Sequence, residues 1–125
     1  MRLLLDTHAL LWWFNQPEKL TQASREAIAE ESNDVLVSAA SMWEAGIKRA
    51  LGRLEGADDL GEKVLEQRLG ELPISFRHAE VAAELPGHHG DPFDRMLIAQ
   101  AMCESLTFVT RDARAPLYDV AVLKA

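Results

Sequence analysis

The sequence predicts an α/β fold in which a mostly parallel central sheet is flanked on both faces by helices. Three observations lead there. Short apolar runs alternate with stretches of helical spacing along the 125 residues. The first run, Leu3-Leu4-Leu5, has no polar break, as in a strand buried on both faces. Asp91-Pro92 then opens a long apolar helix with a capping acid and a proline at the first helical position.

Taken in order, strands are expected at Leu3–Leu5, Val35–Val37, Leu72–Ile74, Phe108–Thr110 and Val120–Leu123. Only a short helix start follows Asp6. Thr21 can cap a helix through about Glu31, and Ser38 can cap another that ends at Gly52. Asp59–Leu69 and Arg77–Leu85 are helical by spacing, and "DPFDRMLIAQAMCESL" is the last long helix. No repeat or linker interrupts the series, so one domain over residues 1–125 is expected.

Composition narrows the class. An apolar fraction of 48% is ample for one core. No apolar run reaches membrane-spanning length and no basic leader precedes one, so no membrane association is expected. Cys103 is the only cysteine; it reads as a small core side chain and fits a reducing cytosol. The net charge of −7 disfavours a nucleic-acid partner in the far field. A cleft whose acids hold divalent metal reverses that sign locally.

Asp6 raises the functional question. Asp is depleted in strands and expensive to bury unpaired, yet the first core strand ends on one. In open parallel sheets ligands bind beyond the carboxyl ends of the strands, where Asp6 stands. Asp112 follows the strand "TFVTR". Glu44 lies nearly two turns into the helix after Ser38, and Asp94 in the first turn of the helix opened by Asp91. Four acids from four elements can therefore reach one rim. Packed together they raise one another's pKa unless a cation binds, and an all-carboxylate set suits Mg²⁺ or Mn²⁺ rather than zinc.

The acids other than Asp6 also have ordinary explanations. Asp91 and Asp94 occupy N-cap and N3 positions, Glu44 and Lys48 form an i,i+4 pair, and Asp112 suits a turn. Thr7, Ser38 and Thr110 can hydrogen-bond carboxylates or water, Ser38 more naturally as a helix cap. Arg95, Arg111 and Arg114 sit near the rim, to hold phosphate or to pair with an acid. His8, His88 and His89 read as loop or surface residues. "LLWWF", Leu10 to Phe14, is apolar on every side, which suits either core packing or a protein interface.

Four blocks together, "LLLDTHALLWW", "VSAASMWEAGIK", "DPFDRMLIAQA" and "FVTRD", resemble PIN-domain nucleases, specifically the VapC-like toxins of toxin–antitoxin pairs. The resemblance spans nearly the whole chain. It implies a PIN-like three-layer α/β/α fold and a metal-dependent endoribonuclease acting on RNA in the cytoplasm. It also implies a cognate VapB-like antitoxin and a homodimer. Position by position, Asp6, Glu44, Asp94 and Asp112 are then the catalytic and metal-holding residues, with Mg²⁺ or alternatively Mn²⁺ as cofactor. Asp94 matches the family's helix in register, with Asp91 an extra acid before it. In such a site metal activates a bound water and offsets charge on the scissile phosphate.

Three rivals remain. A haloacid-dehalogenase-like phosphatase needs a second Asp where His8 stands. A receiver domain needs a Lys after a late strand, and Lys124 is terminal. A silent interaction module would keep the fold, but the intact set of acids argues against it.

Overall fold

The computed structural model describes residues 1–125. Five strands, β1 (Arg2–Leu5), β2 (Asp34–Ser38), β3 (Gly70–Leu72), β4 (Thr107–Thr110) and β5 (Val122–Lys124), form one sheet in the order β3-β2-β1-β4-β5. Every pairing is parallel. Six helices flank it: α1 (Thr7–Asn15), α2 (Gln22–Ala29), α3 (Ala39–Ala50), α4 (Leu60–Glu66), α5 (Phe76–Glu84) and α6 (Pro92–Cys103).

The leucine run sits at the centre of the sheet. Leu3, Leu4 and Leu5 are fully buried; Leu3 and Leu5 join one core layer and Leu4 the other. The first layer takes α1, α2 and α4 through Leu10, Leu11, Ile28, Leu60 and Val64. The second takes α5 and α6 through Ala82, Leu97, Ile98 and Ala101. Helix α3 contributes to both, Ala45 to the first and Ala40 to the second, and packs against α1 and α6 alike. It thereby crosses between the layers beside the carboxyl end of the sheet.

Caps end the helices where the sequence signals them. Thr21 accepts the Ser24 N–H, Ser38 the Ala40 N–H, and Asp91 the N–H groups of Phe93 and Asp94. Gly52, just past α3, has the positive φ of 68° that closes a helix end. Two strands are displaced from their expected places. The third is Gly70–Leu72 rather than Leu72–Ile74, because Pro73 has no N–H to continue the ladder and Ile74 turns outward. A side chain at Gly70 would start 2.4 Å from Leu36 Cδ2, so the leucine packs over the glycine where the strand enters. The fifth begins at Val122 rather than Val120, since the Val120 N–H is still turned back onto the Tyr118 carbonyl at 2.9 Å.

"LLWWF" is divided. Leu10 and Leu11 are buried, while Trp12, Trp13 and Phe14 are half-buried against the same core layer. The Arg111 guanidinium covers the Trp12 ring at 4.5 Å, and Trp13 Nε1 donates to Gln67 Oε1 at 2.9 Å. The run therefore packs largely on its own chain. Cys103 is half-buried at the end of α6 rather than in the core. No helix is long and apolar enough to cross a membrane.

Candidate active site

The strand order places a switch point at β1, where the chain has gone to β2 on one side and to β4 on the other. Asp6 leaves β1 at that point, 7% exposed. Its Oδ1 accepts the Ala9 N–H at 2.7 Å and caps α1, and its Oδ2 accepts the Thr110 hydroxyl at 2.6 Å. Asp6 is thus a cap and a member of a wider network. The Thr110 oxygen also accepts the Asp112 N–H at 3.1 Å, tying the ends of β1 and β4 together.

Glu44 enters from α3 and is 5% exposed, so it is no surface decoration. The Thr7 hydroxyl donates to its Oε1 at 2.5 Å, and Lys48 Nζ donates to its Oε2 at 2.8 Å from the solvent side. Asp94 arrives from α6. The capping work there belongs to Asp91, whose Oδ1 takes the Phe93 and Asp94 N–H groups at 2.8 and 3.2 Å. The Asp94 carboxylate is left free for other contacts. It feels the charges of Glu44 and Asp6 as well as that of Asp91, and Glu44 acts on Asp6 in turn.

The electrostatics follow from that crowding. Burial first, then the neighbouring Asp91 charge, push the Asp94 carboxyl up to about 6, with the His89 imidazole pulling the other way. Burial also raises the Asp6 carboxyl, against the hydrogen bonds from Thr110 and the Ala9 N–H. Asp112 behaves oppositely. Burial is its largest single influence and is unfavourable. The Arg114 N–H and the His89 imidazole outweigh it and hold the carboxyl below the ordinary range.

One partner in this network has only the look of a loop residue in the sequence. His89 is 4% exposed, and its Nε2 lies 2.6 Å from Asp112 Oδ2 and 3.2 Å from Asp94 Oδ2. The three ligand-capable atoms all lie within 4.8 Å of one another. The signal in the sequence is weak: "HHGD" has no periodicity, though His89 stands two residues before a helix cap. His8 and His88 are exposed, as expected. Two of the three rim arginines are committed elsewhere. Arg95 donates to the carbonyls of Ala82, Leu85, Pro86 and His89. Arg111 donates to the carbonyls of Ala125 and Lys19. Arg114 alone is exposed with a guanidinium that makes no hydrogen bond within the chain. A surface depression near Trp13, Ile28 and Arg68 contains none of the four acids.

The family model of the PIN domain matches residues 3–123. This chain belongs to the PIN-domain family. It is 33% identical over 119 residues to Ribonuclease VapC22 of Mycobacterium tuberculosis, covering 89% of this chain and 87% of that protein. Among solved structures, this PIN domain resembles FitAcB from Neisseria gonorrhoeae at 26% identity and a TM-score of 0.68, covering 98% of this chain and 96% of that one. It shares its fold with VapBC2 from Rickettsia felis bound to a promoter DNA fragment. There the TM-score is 0.73 at 15% identity, with 98% of each chain covered.

The acid set of this PIN domain fits a divalent cation. Its donors are hard carboxylate oxygens, and the charges of Asp91, Glu44 and Asp6 add to burial in raising Asp94, against the pull of His89. This has a measurable consequence for the metal-free protein. The folded Asp94 carboxyl near 6 lies above the ordinary 3.8, so the folded state binds the extra proton between those values. Stability should fall as pH rises through that window and stay lower above it. With the side chain 29% exposed, solvent screening reduces the effect to about 1–2 kcal/mol. In excess chelator at neutral pH, Asp94→Asn should be more stable than the parent by that amount, and the gain should vanish by about pH 4. Guanidinium melts at both pH values check this. A loss of stability at neutral pH would mean that Asp94 serves the helix terminus instead.

Proposed function

We propose that this PIN domain is a Mg²⁺- or Mn²⁺-dependent endoribonuclease, the toxin of a VapBC-like pair acting in the cytoplasm. The observation that carries this reading is the convergence of Asp6, Glu44 and Asp94 from β1, α3 and α6, near enough for their charges to act on one another, in a chain 33% identical to a ribonuclease. Asp6, Glu44 and Asp94 would hold one cation, and Asp112 would bind or orient a second. The bound metal would supply an activated water and neutralise charge gathering on the scissile phosphate. Thr110 and Thr7 hold Asp6 and Glu44 in place by their hydroxyls. Arg114, free and exposed next to the acids, is the side chain available to an RNA phosphate. A VapB-like antitoxin is the expected inhibitor, and a second copy of the chain the other expected subunit.

The test is cleavage of a mixed-sequence single-stranded RNA by the purified chain with Mg²⁺, with Mn²⁺ and with chelator. Internal cleavage should need either metal, and the metal should also raise the melting temperature, because only the folded state gathers the acids. Equal cleavage in chelator, or release of terminal phosphate alone, would overturn the reading.

A further inference from the structure

We propose that His89 is a positioning residue of this site, a hydrogen-bond donor that sets Asp112 against Asp94 and is not itself a metal ligand. The proposal rests on the metal-dependent reading above. Its ground is the tautomer that the surroundings demand. His89 Nδ1 accepts the Asp91 N–H at 3.1 Å, so that nitrogen carries no proton. The proton of the neutral ring is then on Nε2. From there it points at Asp112 Oδ2, 2.6 Å away, with Asp94 Oδ2 at 3.2 Å. To ligate a cation through Nε2, the ring would have to move its proton to Nδ1, against the Asp91 N–H.

The ring is held for this task from its backbone as well. The His89 N–H donates to the Tyr118 hydroxyl oxygen at 2.8 Å, and that hydroxyl donates to the Pro86 carbonyl at 2.7 Å. The His89 carbonyl accepts Arg95 Nη1 at 3.1 Å. These bonds fix the backbone on both sides of the ring and so fix where Nε2 points. The donor leaves each carboxylate with further lone pairs, so Asp112 and Asp94 can still bind metal while their orientation is set. The same bond explains how two acids from different elements stay close without metal.

The experiment is calorimetric titration of the purified chain with Mn²⁺ alone, comparing the parent with His89→Leu and His89→Gln. Leucine removes the donor and keeps the bulk; glutamine carries an amide donor at the reach of Nε2. Mn²⁺ affinity should fall about 10–100-fold in His89→Leu and return to within a few-fold of the parent in His89→Gln. Packing loss alone would not be reversed by glutamine. Should His89→Leu fail to fold, Tyr118→Phe supplies the second reading. It frees the His89 N–H without touching the acids, and Mn²⁺ affinity should drop several-fold. Equal affinity in all folded variants overturns the role of His89 alone. A parent that takes up no Mn²⁺ overturns the metal reading and this proposal together.

Discussion

Asp6→Asn should reduce RNA cleavage by about a thousandfold while leaving the domain folded. That factor corresponds to the loss of about 4 kcal/mol of transition-state stabilisation, on the scale of what a bound metal supplies. The fold should survive because asparagine keeps the capping oxygen for the Ala9 N–H. Its amide then faces the Thr110 hydroxyl, which can accept as well as donate. Burial already opposes ionisation of Asp6, so the metal-free variant should be no less stable than the parent. The stabilisation by Mg²⁺ or Mn²⁺ should largely disappear with the activity. Cleavage rates and melting curves with and without metal measure both. If the variant cleaves RNA as fast as the parent, Asp6 is a helix cap and nothing more.

Arg95 should prove structural. Its guanidinium donates to four carbonyls between Ala82 and His89, closing the end of α5 and the loop that carries His89. Arg95→Met keeps much of the stem and removes every donor. With several charge-assisted bonds lost, stability should drop by about 3 kcal/mol, or on the order of 10 °C in melting temperature. Arg114→Ala should do the reverse, leaving the melt unchanged and weakening RNA binding, since that side chain is exposed and unbonded. Guanidinium melts and RNA-binding titrations on the two variants separate the roles. A stable Arg95→Met with impaired RNA binding would restore the phosphate-holding role to Arg95.

Features carried by neighbouring residues are legible in the sequence itself. The leucine run marks the central strand, Asp91-Pro92 marks the start of α6, and Thr21 and Ser38 mark two more caps. Alternation of strands and helices gives the fold class, because periodicity and capping involve residues a few positions apart. The same locality places Asp6 and Asp112 at the carboxyl ends of strands, Asp94 in the first turn of α6 and Glu44 nearly two turns into α3. The limits of the third and fifth strands are not legible in that way. Pairing is decided by the neighbouring strand, and Pro73 and the turn at Val120 act only once that neighbour is in place.

Tertiary structure alone decides which partners polar side chains take beyond their own segment. His89 reads as a surface loop residue until the loop folds back and Asp112, 23 positions later, comes within 2.6 Å. Arg95 looks free at the rim until the end of α5 presents its carbonyls to it. Asp91 and Asp94 both have capping explanations in the sequence, and the fold turns the first carboxylate to the helix N–H groups and the second to His89. In each case the deciding partner lies on another element or in the direction taken by one side chain. A buried polar atom must find a partner wherever the folded chain supplies one, and that partner is not written beside it in the sequence.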